Sequence, residues 1–187
     1  MKIKILSIIL ITTIVYSCGL KKKFKSKLDF LNNLGQYCGQ TFEGQTVFPD
    51  DPSDDFAGKK LVMHIKECSE NEIRVPFAVG ENTSRTWIIS RTNKGLLLKH
   101  DHRHADGTPD ELTMYGGFED KNLTTTNMKA SFAADEETAE MLPEAKTNVW
   151  TLTIDKENNQ FIYSLKRHDK PRYEAVFSMK SNSTTMD

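Results

Sequence analysis

The sequence predicts a mainly β chain: an antiparallel up-and-down β-barrel of about nine or ten strands, with a short N-terminal helix and one short helix near residues 134–142. Three observations lead there. From Gly39 to Lys180 the apolar residues recur mostly at every second position, the period of a strand with one buried face. Clusters of Gly, Asn, Asp and Pro cut that stretch into short segments with short connections, the pattern of a sandwich or a barrel. A single helix ahead of the first strand favours the barrel. The chain has 187 residues, room for one ordinary domain and hardly two.

The elements follow in order. Leu28, Leu31 and Leu34 have i, i+3 spacing and Gly35 suits a C-terminal stop, so residues 28–35 read as the first helix. Strands at Gly39–Phe48 and Lys60–Cys68 flank the polar loop Pro49–Asp55. Paired residue numbers in a hairpin keep a constant sum; a turn centred near Ser53 makes it about 106, which sets Cys38 opposite Cys68. That register puts Phe42 and Phe48 on the face of Val62 and His64, and Leu61, Met63 and Ile65 on the other. Either a bulge intervenes or the register differs. Ile73–Val79 alternates, and Pro76 places it at an edge or a bulge. Thr86–Thr92 and Leu96–Arg103 flank Asn93-Lys94-Gly95, a three-residue hairpin loop with Gly at the left-handed position. With Thr92 opposite Leu96, Ile88 faces His100 and Trp87 faces Asp101; a slip of one sets Trp87 beside His100. Past the turn Ala105–Asp110, the strand Glu111–Phe118 contains Gly116-Gly117, which marks a bulge or sharp bend. Residues 123–132 form a weak strand. Asp135–Leu142, acidic at its start and stopped by Pro143, is the second helix. Asn148–Ile154, Gln160–Lys166 and Arg172–Lys180 complete the strands, and residues 181–187 are a polar tail.

Residues 1–20 differ from the rest. Lys2 and Lys4 precede a twelve-residue apolar run, Ile5–Tyr16. As a helix it would rise ~18 Å, short of a ~30 Å hydrocarbon core, which suits a signal peptide rather than a span. Val15-Tyr16-Ser17-Cys18 resembles the lipobox of bacterial lipoproteins. That resemblance implies cleavage of residues 1–17 and fatty acylation at Cys18, and hence a body outside the cytoplasm in the bacterial cell envelope, periplasm-facing in a Gram-negative cell. The other reading is an uncleaved anchor with a cytoplasmic body. Residues 18–27 become a lysine-rich tether, in which each lysine near an anionic bilayer is worth about 1 kcal/mol. With Cys18 lipidated, Cys38 and Cys68 remain as a disulfide pair in an oxidising compartment; the alternative is two buried thiols. The single barrel domain spans residues 28–180.

Charge narrows the function. Lys and Arg number 25 against 26 Asp and Glu, so no basic field exists to hold nucleic acid. Two further resemblances bear on the body. Leu31…Leu34-Gly35-Gln36-Tyr37-Cys38-Gly39-Gln40-Thr41-Phe42-Glu43-Gly44 resembles the opening of calycins, the lipocalin-like barrels, with Tyr37 and Cys38 where a tryptophan is expected. Phe56–His64, Ser84–Trp87, and Leu98–Gly107 through Tyr115-Gly116-Gly117 look like a group of uncharacterised secreted bacterial proteins, which implies export and no assigned activity.

His100-Asp101-His102-Arg103-His104 is the most unusual run. On one strand its three histidines share a face, neighbours ~7 Å apart and the outer pair ~13 Å. His100 and His102 could then share a zinc or other divalent ion; a third ligand would be His64, Asp106 or Asp110. Against this stands a wet strand end whose histidines are polar supports or ligand contacts. Trp87 lies near the run and would suit a ring-bearing ligand, or be core. His168 sits at a turn where calycin-type haem proteins would make an axial ligand conceivable, and an exposed turn is the default. Asp50, Asp51, Asp54 and Asp55 lack the order of a calcium loop. Signatures of hydrolases, zincins and nucleotide binders are missing. The reading favoured is a non-catalytic, membrane-anchored lipoprotein that binds a small ligand or an envelope partner in or at the barrel, without a cofactor. The alternative is a metal-dependent envelope enzyme built on His100, His102 and His104.

Overall fold

The computed structural model describes residues 30–49, 51–120, 122–123 and 125–180. The expectations for the signal peptide, Cys18, the tether, Leu28, Asp50 and the tail fall outside the described residues. Eleven strands build one antiparallel sheet: β1 (Thr41–Phe48), β2 (Leu61–His64), β3 (Glu67–Cys68), β4 (Glu72–Val79), β5 (Asn82–Thr92), β6 (Gly95–His102), β7 (Tyr115–Phe118), β8 (Lys129–Ala133), β9 (Val149–Asp155), β10 (Gln160–Arg167) and β11 (Lys170–Ser178). They run in the order β7-β6-β5-β4-β2-β1-β11-β10-β9-β8, with β3 also on β4. The two ends of that order meet. Glu119 bridges Phe132, and the Asp120 N–H donates to the Ser131 carbonyl at 2.8 Å. The sheet is therefore a nearly closed barrel, which hides most of its edges from other chains. The strand count exceeds ten because the segment predicted at 60–68 breaks into β2 and β3.

Alternation puts the apolar side chains inside. Ile73, Val75, Phe77 and Val79 of β4 face Trp150, Leu152 and Ile154 of β9 within one core, each at most 5% exposed. Residues 30–35 are helical and form α1, whose Phe30, Leu31 and Leu34 are buried in that core. Asn33 Nδ2 donates to the Asn127 carbonyl at 2.9 Å, and Gly35 lies against Ile73, so α1 plugs one end of the barrel. α2 (Glu136–Met141) is capped by Asp135, whose carboxylate accepts the Thr138 N–H at 2.9 Å, and Pro143–Ala145 then turn in 3₁₀ form.

Four sequence expectations change. In the β1–β2 ladder Phe42 pairs with Met63 and Thr41 with His64, so the register sum is 105. Phe42 thereby joins Leu61, Met63 and Ile65 in the core. The slip at Ile65-Lys66, where β2 ends and β3 begins, is the bulge that brings Cys68 to Cys38; the disulfide forms with Cα atoms 6.2 Å apart. Pro76 lies opposite that same break: β2 pairs with β4 only as far as Phe77, and β3 resumes at Arg74. A proline without an N–H fits where the ladder is interrupted. In the β5–β6 hairpin Thr92 pairs with Gly95, a two-residue connection, so Trp87 faces His100. Gly95 still takes a positive φ of 125°. At Gly116-Gly117 the β6–β7 register stays constant, so no bulge occurs. The glycines instead permit close approach: a Cβ on Gly117 would collide with the Ala133 carbonyl, and the Gly116 carbonyl and N–H are both bound by Thr138 Oγ1 at 2.8 and 2.7 Å. Finally, only Tyr115–Phe118 of the predicted 111–118 segment is strand.

Candidate functional site

The end of the barrel opposite α1 holds a cavity of about 290 Å³. Cross-strand pairing builds it in layers. On β5 and β6 the inward pairs run Arg85–His102, Trp87–His100 and Ile89–Leu98, from the open end toward the dry core. Tyr115 of β7, Trp150 of β9, Tyr163 and Leu165 of β10 and Tyr173 of β11 complete the wall. The loop from Asp54 to Phe56, the Leu142–Ala145 turn, Arg167 and Arg172 form the rim.

His100 is 3% exposed and fully engaged. Its Nδ1 lies 3.2 Å from the Tyr115 carbonyl, which can only accept, so Nδ1 carries the proton. Nε2 then accepts from the Tyr163 hydroxyl at 3.0 Å. Burial pushes its pKa down to about 3, which keeps the ring neutral. His102 is half-buried, with Nε2 3.2 Å from the Tyr115 hydroxyl; burial, then the Arg85 charge, lower its pKa. Burial also raises Tyr115 and Tyr173 to about 12 and Tyr163 well above its ordinary value, so all three phenols stay protonated near neutrality.

The other residues singled out in the sequence are dispersed. His104 is exposed beyond the strand, in the turn closed by its N–H on the Thr108 carbonyl at 2.9 Å. The expected sharing of one face by three histidines therefore stops at His102. His64 lies on β2 with Nδ1 2.7 Å from Thr41 Oγ1. Asp106 accepts from Thr108 Oγ1 at 2.6 Å, and Asp110 from the Leu112 N–H at 3.0 Å. Among the described residues no three His, Cys, Asp or Glu side chains converge as a metal-ligating group. Trp87 does line the cavity, but its faces are covered, with Phe77 and Tyr163 stacked at 4.8 and 4.7 Å. It is structural wall more than open platform. His168 is exposed at the β10–β11 turn, bonded to Thr147 Oγ1 at 2.9 Å.

Sequence reasoning missed Arg85, Tyr115, Trp150, Tyr163 and Tyr173. Arg85 was the most findable, since it stands two positions before Trp87 and so shares its inward phase. Its Nη1 is buried and makes no hydrogen bond. An unpaired buried donor costs about 1–3 kcal/mol; of the other atoms in that state among the described residues, on Arg91 and Thr125, none lines the cavity. No family model matches the chain, and neither the curated proteins nor the solved structures contain a match to it.

Proposed function

We propose that this chain is a lipid-anchored protein of the bacterial cell envelope that binds a small molecule in its barrel without transforming it. The observation that carries the reading is the cavity of about 290 Å³, walled by aromatic rings and open at one end. That is just under the usual range of small-molecule sites, roughly 300–1,000 Å³. Its most buried polar groups are set for contact rather than proton traffic. His100 spends both nitrogens on protein partners, and the tyrosines hold their protons. A general base would need a free nitrogen or oxygen and a pKa near neutrality. The anchor rests on the apolar run before Cys18, and the Cys38–Cys68 disulfide supports an oxidising compartment.

The test is to purify the full chain in detergent and identify by mass spectrometry what stays bound in its native state. A stoichiometric small molecule, whose removal lowers the melting temperature, is expected. An empty protein whose melting temperature no ring-bearing compound in a library raises would refute the binding role. For the anchor, Cys18→Ala should appear in the soluble fraction or as unprocessed precursor; a processed variant still held in the membrane would refute lipidation.

A further inference from the structure

One cation of the cavity carries a donor that the fold leaves without a partner. Arg85 Nη1 is shielded from solvent and has no hydrogen-bond partner. The guanidinium Cζ lies over the Phe56 ring, 5.3 Å from its centroid, a contact that uses no N–H donor. Arg85 forms no ion pair among the described residues, although carboxylates are near. Asp54, Asp55 and Glu144 all line the mouth. Asp55 and Glu144 are exposed at the rim, and Asp54 spends Oδ1 on the Phe56 N–H at 2.9 Å. The other rim cations differ from Arg85. Arg167 Nε is satisfied by Asn148 Oδ1 at 2.9 Å, and Arg172 is exposed. Among the described residues, Arg85 Nη1 is therefore the one side-chain polar atom lining the cavity that is both shut off from solvent and without a partner, and it belongs to a cation.

Resting on the small-molecule reading above, we infer that the cavity takes a small ring-bearing organic anion, its carboxylate-type group on Arg85 and its apolar body toward Trp150, Leu165 and Leu142. A guanidinium presents parallel N–H donors that match a carboxylate with two bonds, and does so best when water is kept out. Tyr115 and His102 flank Arg85 across the β5–β6 pair and the adjoining β7, and Tyr173 stands on the far wall. Their hydroxyl and imidazole groups add neutral polar contacts and no competing charge. The apolar wall faces the body of the ligand, and about 290 Å³ is room for one fused aromatic ring system.

The full chain in detergent is titrated by calorimetry with naphthoate and with neutral naphthamide, against detergent blanks. Naphthoate should bind at least tenfold more tightly than naphthamide. Arg85→Gln should remove that preference by weakening naphthoate alone, and Arg85→Lys, which keeps charge but not the fork, should fall between. Near-ultraviolet circular dichroism checks that each variant keeps its packed aromatic core; if Arg85→Gln does not fold, Arg85→Lys decides by its loss of at least part of the preference. Equal binding of the two probes by the unaltered chain overturns the anionic ligand and leaves the small-molecule reading standing. A naphthoate preference that survives intact in either folded variant overturns the role of Arg85. Binding of neither probe overturns this inference; the small-molecule reading falls only if the purified protein is also empty and no ring-bearing compound in the library raises its melting temperature.

Discussion

His100 ties the stability of this barrel to pH. Folded, its buried ring takes a proton only near pH 3; in the unfolded chain it does so near 6.5. Below pH 6.5 the unfolded state thus binds a proton that the folded state refuses. Its contribution is intact above the unfolded value and drains as pH falls toward the folded one. Between pH 7 and pH 4.5 this single group should cost about 2.5 kcal/mol of folding free energy. His102, lowered in the same direction, adds to the loss in the unaltered chain. Asp51, Asp106, Asp135 and Asp155, whose pKa values the fold lowers, keep their contribution above the ordinary value of 3.8 and lose it mostly below, and what little they lose by pH 4.5 is common to the unaltered chain and a His100 variant. Urea unfolding at pH 7, 5.5 and 4.5 isolates the effect when the unaltered chain is compared with His100→Gln, which keeps polar atoms and cannot titrate. The variant should be less stable at pH 7 and should lose about 2.5 kcal/mol less on acidification. Parallel pH profiles for the two proteins would show that His100 is not held neutral by burial, and the account of the Tyr115–His100–Tyr163 chain would be wrong.

Three other outcomes are expected. Replacing both Cys38 and Cys68 by Ser should lower stability by ~3–4 kcal/mol, from the 30-residue separation the bond closes; a urea-derived loss under about 1 kcal/mol would refute the loop-closure estimate. Lys99→Ala should cost about 2 kcal/mol in thermal unfolding, since it strips Asp135 of an ion pair at 2.7 Å whose side chains are only 11% and 17% exposed; an effect as small as that of a surface lysine would show that the pair does not hold α2 on the barrel. Gly117→Ala should cost about 2–3 kcal/mol, because its Cβ meets the Ala133 carbonyl, whereas Gly39→Ala, at φ 83° with nothing near, should cost only about 1 kcal/mol; equal losses in urea melts would remove the argument that Gly117 lets the seam close.

Much of the fold was legible locally. Period-two alternation in Ile73–Val79 and Asn148–Ile154 marked β4 and β9 and their inward faces, because a pleated strand sends alternate side chains to opposite sides. Asp135 and Pro143 marked the ends of α2 through capping and a missing N–H. Registers were harder. The Cys38–Cys68 pair was found with a ladder offset by one, and the Thr92 pairing was off by the same amount. A one-residue slip costs little in the turn and is settled only by which side chains fit the shared core.

The candidate site was less legible still. The histidine run drew attention through composition, yet His104 leaves the face that His100 and His102 share, because the chain turns at Arg103. Residues far apart in sequence, Arg85, Tyr115, Trp150 and Tyr173, meet at one mouth only because ten strands curl until β7 reaches β8. By itself the sequence determined the β class, most of the strands and the places of both helices, and it set Cys38 opposite Cys68, since those follow from backbone preference, side-chain period and short loops. Closure of the sheet decided the rest. It set which inward positions border a cavity and which fill the core, and it left Arg85 Nη1 buried without a partner. Burial and charge compensation depend on every neighbour in space, and a strand read alone has no knowledge of the strand across the barrel.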